Sequence, residues 1–281
     1  MKNYKIKSYA KLNLALHVTG KSKRLHKIES IVSFINLYDL IYIKLSNTRD
    51  HKISFTGRFS KNINKNNTIA HLLRLLEKEK ILKDKKFNIK VFKNIPQKSG
   101  MGGGSMNAAS LINFFIRKKI IQIKKKQLIR LSKLIGADVI LGINPLNTIL
   151  SSNGKITRYK KKINLFPLVV KPKYGCSTKY IFSRVKYFSK SKFNFPKQSM
   201  LKVNYLKNLD NDLENIAFKK YPKLKNIKSF LTNISNSIFV RMSGSGSSIV
   251  AYFHSKKACS NALKQFKRQF NSHWCIASKT I

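Results

Sequence analysis

The chain opens on a strict alternation over residues 4–18. Ile6, Ala10, Leu12, Leu14, Leu16 and Val18 fall on one face, and Lys7, Tyr9, Lys11, Asn13 and His17 on the other. That period of two predicts a half-buried strand. Further strands are expected near 28–36, 40–45 and 51–56. The period then changes. Ile69, Leu72, Leu73 and Leu76 recur at i, i+3, i+4 and i+7, which predicts a helix over 67–80. Phe87, Ile89 and Val91 return to alternation. A glycine-rich loop after Pro96 leads into a second helical stripe, Ala108, Leu111, Ile112 and Phe115. A third helix, near 126–135, is expected to end at Gly136. Short strands around 138–150, a strand at 165–171 and a polar helical region to 232 follow. A strand pair around Gly244, a helix at 256–270 and a last strand near 274–278 close the order. Strands and helices mix without the regular alternation of a doubly wound parallel sheet. The expected class is α+β with two lobes, divided at the basic stretch 153–164 into 1–155 and 156–281.

Composition narrows the picture. With 281 residues, 42% of them hydrophobic, the chain has the material for one large or two modest cores and is not disordered wholesale. No apolar run approaches the roughly 18 residues of a membrane span. Leu12–Val18 is short, holds Asn13 and His17, and no small-residue cleavage site follows it, so neither a membrane association nor a secretory signal is expected. Cys176, Cys259 and Cys275 are odd in number and far apart, which fits a reducing cytoplasm and excludes a disulfide scaffold.

The charge is extreme: 58 Lys+Arg against 10 Asp+Glu, a net +48. It is spread along the chain, in short runs such as Lys124–Lys126 and Lys160–Lys162. No zinc-finger, basic-zipper or RNA-recognition spacing accompanies it. The abundance of Lys, Asn, Ile and Tyr is what an AT-rich genome imposes through codon choice. Salt-sensitive, nonspecific contact with nucleic acid is expected, but no specific nucleic-acid partner. With so few acids, any acid inside a motif is informative.

Residues 94–109 read Asn-Ile-Pro-Gln-Lys-Ser-Gly-Met-Gly-Gly-Gly-Ser-Met-Asn-Ala-Ala. Gly100, Gly102, Gly103 and Gly104 precede a helix, so the backbone can turn tightly and approach a bulky anion. The helix adds unpaired N–H groups and its positive dipole end. Together these form a phosphate cradle to which Ser105 would add a hydroxyl, toward phosphate or magnesium. The spacing is neither a Walker A loop nor a Rossmann fingerprint. Local sequence alone leaves other readings open: a flexible loop here, Asp138 as the cap of a turn, Lys11 as one solvated lysine among many, His26 as a surface histidine, Phe182 as a core residue, and Gly244–Gly246 as a hairpin turn.

Three segments together resemble the GHMP kinases. Ser8-Tyr9-Ala10-Lys11-Leu12-Asn13-Leu14 is similar to their opening strand, Pro96–Ala109 to their phosphate loop, and Arg241-Met242-Ser243-Gly244-Ser245-Gly246 to their third motif. His17-Val18-Thr19-Gly20, His26, Gly136-Ala137-Asp138-Val139 and Asn211-Asp212-Leu213-Glu214 resemble the branch acting on a cytidine diphosphate-linked methylerythritol. The resemblance runs in order from residue 8 to residue 253. It implies an N-terminal lobe like ribosomal protein S5 domain 2 and a ferredoxin-like C-terminal lobe. It also implies ATP-dependent phosphorylation, with Mg²⁺, of the 2-hydroxyl of 4-diphosphocytidyl-2-C-methyl-D-erythritol in non-mevalonate isoprenoid synthesis, by a monomer or weak homodimer.

By the same resemblance, ATP would be held by Pro96, Gln97, Lys98, Ser99, Gly100, Met101, Gly102, Gly103, Gly104, Ser105 and Met106, with Ser105 also on the metal. Asp138 would be the base and Lys11 the catalytic lysine. Asn13, His26, Phe182 and Gly244 would contact substrate, His26 at the cytosine edge and Phe182 stacked on the ring. Asn211–Glu214 reads as a structural cap. The sequence departs from the family at several points. Tyr9 replaces a proline, Leu25 replaces the tyrosine before His26, and Gln97-Lys98-Ser99 replaces a methionine and glycines. Met106 replaces a second serine, and Lys155 stands where a glutamate is expected. Homoserine or mevalonate kinases of the same superfamily, and a degenerate kinase fold that binds nucleic acid, are the competing readings; His26 and Gly-Ala-Asp-Val argue against a homoserine or mevalonate kinase.

Overall fold

Two long strands start the structure, a computed structural model that describes residues 3–22 and 25–281. They are β1 (Asn3–Lys21) and β2 (His26–Ser46), which pair with each other. The separate strands expected at 28–36 and 40–45 are one. The sequence leaves residues 37–39 as a gap between them. Instead Asp39 is fully buried, pairs with Lys93, and accepts hydrogen bonds from the backbone N–H groups of Asn94 (2.8 Å) and Ile95 (2.9 Å). With its carboxylate satisfied, the strand runs through.

The chain folds as two compact units assembled from interleaved segments. The first takes the chain to Ala10, Leu37–Pro96 and Gly102–Pro145. After its shares of β1 and β2 come β3 (Lys52–Thr56), α1 (Thr68–Lys78), β4 (Lys86–Phe92), α2 (Gly103–Arg117), α3 (Lys125–Ile135) and α4 (Val139–Gly142). β4 lies antiparallel to β2, Leu40 opposite Phe92, and parallel to β3, Lys52 opposite Asn88. The inward positions Ile41, Ile43, Phe87, Ile89 and Val91 meet both predicted helical stripes, Ile69/Leu72/Leu73/Leu76 and Ala108/Leu111/Ile112/Phe115, in one buried core. α1 begins where Asn67 Oδ1 accepts from Ile69 N and Ala70 N, a side-chain cap. Gly136 ends α3 as expected, though in extended backbone rather than a left-handed cap.

The second unit takes Lys11–Asn36, Gln97–Met101 and Leu146–Ile281. Its further elements are β5 (Asn147–Leu150), β6 (Ile156–Tyr159), β7 (Phe166–Lys171), α5 (Thr178–Ser183), α6 (Val203–Leu206), α7 (Glu214–Lys220), α8 (Pro222–Thr232), β8 (Phe239–Met242), β9 (Ile249–Phe253), α9 (Lys256–Gln269) and β10 (Trp274–Ala277). β5 pairs with β2, Ser30 opposite Leu150, and with β6. β6 lies inside the basic stretch that read as a boundary, because its Thr157 and Tyr159 alternate with polar neighbours and carry little apolar signal. The last four strands form an antiparallel sheet in the order β10-β7-β9-β8. Numbered along the chain this is 4-1-3-2, the ferredoxin-like arrangement. Its core joins Leu168, Val170, Met242, Ile249 and Ala251 with Leu224, Ile227, Leu231, Ala262 and Phe266 of the helices. The three cysteines form no disulfide, and no described helix is long and apolar enough to cross a membrane.

Residues 138–150 differ from the expectation of strands. Val139–Gly142 is a helical turn, and the strand starts only at Asn147. Close packing on α2 imposes the turn. A Cβ at Gly142 would lie 2.6 Å from Ala109 Cβ and 3.0 Å from the Met106 sulfur, and Asn113 donates to the Gly142 carbonyl (2.9 Å). Gly142→Ala sets two effects against each other. Helix propensity gains about 1 kcal/mol, while overpacking costs about 1–3 kcal/mol. The contact at 2.6 Å makes overpacking win, so urea denaturation is expected to give a net loss of stability.

Candidate active site

In the second unit the three motif segments meet at one hydroxyl. Asn13 N donates to Ser243 Oγ (3.2 Å), and Ser243 Oγ donates to the Gly100 carbonyl (3.0 Å). Lys11 N donates to the Met101 carbonyl, and Ser248 N to the Ser99 carbonyl, both at 3.1 Å. Gly100 has to be glycine: its φ is +75°, and a Cβ there would lie 1.9 Å from the Ser243 carbonyl oxygen. Gly244 sits against the Gly100 carbonyl and Asn13 Oδ1. Lys11 Nζ donates to Asn13 Oδ1 at 2.7 Å, and Asn13 Nδ2 to Ser30 Oγ at 2.8 Å. Lys11, Asn13 and His17, expected on a solvated face, are buried; their hydrogen bonds offset the loss of water. Gln97 and Lys98 are exposed, Ser99 and Met101 buried.

In the first unit the rest of the loop runs into α2. Gly102 occupies the N-cap position in the left-handed region, at φ +68°. A Cβ on Gly103 would lie 3.1 Å from Ile95 and 3.4 Å from Lys93 Nζ, so the first turn rests on the residues just after β4. The Gly104 carbonyl accepts from Thr68 Oγ1 at 2.7 Å. A Cβ on Gly136 would lie 3.4 Å from Ser105 Oγ. The Ser105 hydroxyl therefore packs beside the turn that carries Asp138. Asp138 stands at the start of α4, and its side chain makes no cap hydrogen bond to that helix. Met106 turns its side chain into the core against Gly142, and Pro96 is buried.

A second cluster in the second unit holds His26, with its ring centroid 5.3 Å from Phe182 and 6.4 Å from Phe188. Burial and the neighbouring charge of Lys21 lower the His26 pKa below its ordinary value, so the imidazole is neutral at pH 7 and has one donor and one acceptor nitrogen.

Sequence reasoning missed the acids that hold these parts. Asp39 pairs with Lys93 beneath the loop; an aspartate inside Leu37-Tyr38-Asp39-Leu40-Ile41, in so acid-poor a chain, was the available signal. Glu29 is fully buried, 3.0 Å from His17 Nδ1, and accepts from Lys192 N (2.8 Å) and Phe193 N (3.1 Å). Asn211–Glu214 is structural as expected, but clamps the third motif rather than a helix end alone. Asn211 Nδ2 donates to the Met242 and Gly244 carbonyls, Glu214 accepts from Met242 N and pairs with Lys228, and Asp212 accepts from Val18 N. Arg241 is buried and donates to the carbonyls of Leu14, Leu206 and Leu209. Among the described residues no group of three His, Cys, Asp or Glu forms a metal cluster.

Comparison with known proteins agrees with this geometry. Residues 67–150 match the family described as GHMP kinases N terminal domain, and residues 199–272 match GHMP kinases C terminal. The chain is 64% identical over 281 residues, all of both chains, to 4-diphosphocytidyl-2-C-methyl-D-erythritol kinase of Pelagibacter ubique (strain HTCC1062). It is 30% identical over 286 residues to the enzyme of the same name from Clostridium perfringens (strain 13 / Type A), covering 99% of this chain and 98% of that one. A crystal structure of 4-(cytidine 5'-diphospho)-2C-methyl-D-erythritol kinase superposes with a TM-score of 0.78 at 20% identity, covering 98% and 99% of the two chains. Homoserine kinase from Cytophaga hutchinsonii follows with 0.72 at 15% identity, covering 100% and 95%. At these identities the structures establish the fold.

Two predictions follow from the buried acids. Asp39→Ala strands the Lys93 ammonium in the interior and is expected to cost about 3–5 kcal/mol in urea unfolding. For Glu29, burial works to raise the carboxyl pKa, but the hydrogen bonds from His17, Lys192 and Phe193 outweigh it and the net shift is downward. A depressed carboxyl stabilises the fold above its unfolded value, about 4.3, and that stability is lost as pH falls through the folded value. Glu29→Gln is therefore expected to lower the urea midpoint at pH 7 and to flatten its fall below about pH 4.3.

Proposed function

The chain belongs to the GHMP kinases, in the 4-diphosphocytidyl-2-C-methyl-D-erythritol kinase family, and we propose that Asp138 and Lys11 carry the reaction of that family here. The reaction is ATP-dependent phosphorylation of 4-diphosphocytidyl-2-C-methyl-D-erythritol. The observation that carries the reading is the Ser243 hydroxyl, bonded at once to Asn13 and Gly100, one residue from each motif.

Phosphoryl transfer asks for positioning and charge stabilisation. The loop from Gln97 to Ser105 and the first turn of α2 hold the ATP phosphates through backbone N–H groups, with Lys98 adding positive charge. Met101 acts through its backbone; the Met106 N–H is taken by the Gly102 carbonyl (2.8 Å), so Met106 supports the first turn of α2 rather than the phosphates. Asp138 accepts the proton of the 2-hydroxyl as its oxygen bonds the γ-phosphorus and ADP leaves, a contribution of roughly 10²–10⁴-fold. Lys11, oriented by Asn13, meets the developing negative charge. Gly244 faces the methylerythritol end. Phe182 stacks on cytosine, and neutral His26 bonds its edge. Magnesium fits this donor set: it is held mostly by phosphate oxygens and water and needs few protein ligands, and Ser105 Oγ is the protein hydroxyl at the loop. When bound, it neutralises phosphate charge. The two family matches fall on either side of 155/156, while the compact units interleave, with Leu146–Ile281 together in the second. Three cysteines without a disulfide support a reducing cytoplasm.

A coupled ADP-release assay with 4-diphosphocytidyl-2-C-methyl-D-erythritol, homoserine and mevalonate tests the assignment. Turnover is expected on the first alone; turnover on homoserine or mevalonate in its place overturns it. Asp138→Asn is expected to lower kcat by at least about 100-fold while ATP binding by calorimetry persists.

A further inference from the structure

The segment between α5 and the turn at Gln198–Leu201 has no regular secondary structure over 185–191, yet it is firmly tied. Ser189 N donates to the Val18 carbonyl (2.8 Å) and Ser189 Oγ to Asp212 Oδ2 (2.7 Å). Lys192 N and Phe193 N both donate to Glu29. The Phe193 carbonyl accepts from Ser151 Oγ (2.6 Å), and its ring is buried 5.2 Å from His17. Two of the chain's ten acids are engaged in holding this strap.

The strap presents apolar rings to water. Tyr187 is 88% exposed and Phe188 47% exposed. An exposed aromatic on a flexible loop needs no explanation. One on a segment pinned by the buried Glu29 and the half-buried Asp212, with its ring centroid 6.4 Å from His26, is held at a defined place beside that imidazole. Leu25, the residue preceding His26, is itself 71% exposed and offers no ring. The His26 cluster therefore has Phe182 on one side and Phe188 as its other aromatic contact.

We infer that Phe188 is a second aromatic contact for the substrate's pyrimidine base, supplied from the strap, and that Glu29 and Asp212 act as positioning residues through it. The inference rests on the proposed placement of cytosine at His26 and Phe182. A heteroaromatic base gains from a π-face against it, and the gain depends on ring character more than on bulk.

The test is steady-state kinetics and calorimetry with the full chain. Phe188→Ala is expected to raise KM for 4-diphosphocytidyl-2-C-methyl-D-erythritol by about tenfold or more, with kcat and KM for ATP within about threefold and an unchanged urea midpoint. Phe188→Tyr is expected to restore KM and Phe188→Leu to leave it raised. Leu25→Tyr in the Phe188→Ala background is expected to recover part of the loss, and Tyr187→Ala to change KM less than about twofold. An unchanged KM in Phe188→Ala, or equal rescue by leucine and tyrosine, overturns the inference. Calorimetry with cytidine diphosphate separates this result from the wider reading. If the unaltered protein fails to turn over the substrate, the functional reading fails, and CDP binding still decides the role of Phe188. Weakened CDP binding in Phe188→Ala supports it; equal binding, or none by the unaltered protein, overturns it.

Discussion

Ser243 Oγ is the point on which the second unit's share of the site depends. It accepts from the strand that carries Lys11 and donates to the loop carbonyl at Gly100. Such a bridge works only if backbone approaches backbone, and the 1.9 Å separation that a Cβ at Gly100 would have from the Ser243 carbonyl states how close that approach is. Ser243 is held in turn from behind. Asn211 binds the carbonyls on both sides of it, and Glu214 takes the N–H of Met242. Removing any one of these groups leaves buried partners unsatisfied, which costs more than the net worth of a single hydrogen bond.

The use of acids follows the same logic. In a chain of +48 a surface carboxylate would find many cations and little net gain, because exposed pairs are weak. Asp39, Glu29, Asp212 and Glu214 instead take backbone N–H groups at the ends of loops. There a charged acceptor makes short bonds in a poorly screened interior. Irregular segments next to the candidate site are thereby fixed without regular secondary structure of their own.

Much of this was legible in the sequence. The alternation of β1, the stripe of α1 and the glycines before α2 each carry a local period or a local backbone requirement, and the structure follows them. What was illegible depends on contacts distant in the chain. Lys11, Asn13 and His17 read as a wet face, because nothing local announces that Ser30, Ser243 and Glu29 supply their partners. Residues 37–39 read as a gap in β2 because the donors that satisfy Asp39 lie more than fifty residues on. α4 read as strand because Val139-Ile140-Leu141 is β-prone, and tertiary packing on Ala109 overrode that propensity. The catalytic assignment of Lys11 and Asp138 came from motif resemblance, since period and composition do not mark either residue.

The tight seat of Gly142 on α2 has a chemical corollary. The Met106 sulfur is buried there, with a Cβ at Gly142 only 3.0 Å from it. Oxidation to the sulfoxide makes this side chain polar and adds an atom. That atom would have to be placed where α2 meets α4, whose N-cap is Asp138. A single thioether therefore lies at the seam between the helix that follows the loop and the turn that carries Asp138, where a change in its polarity falls on both.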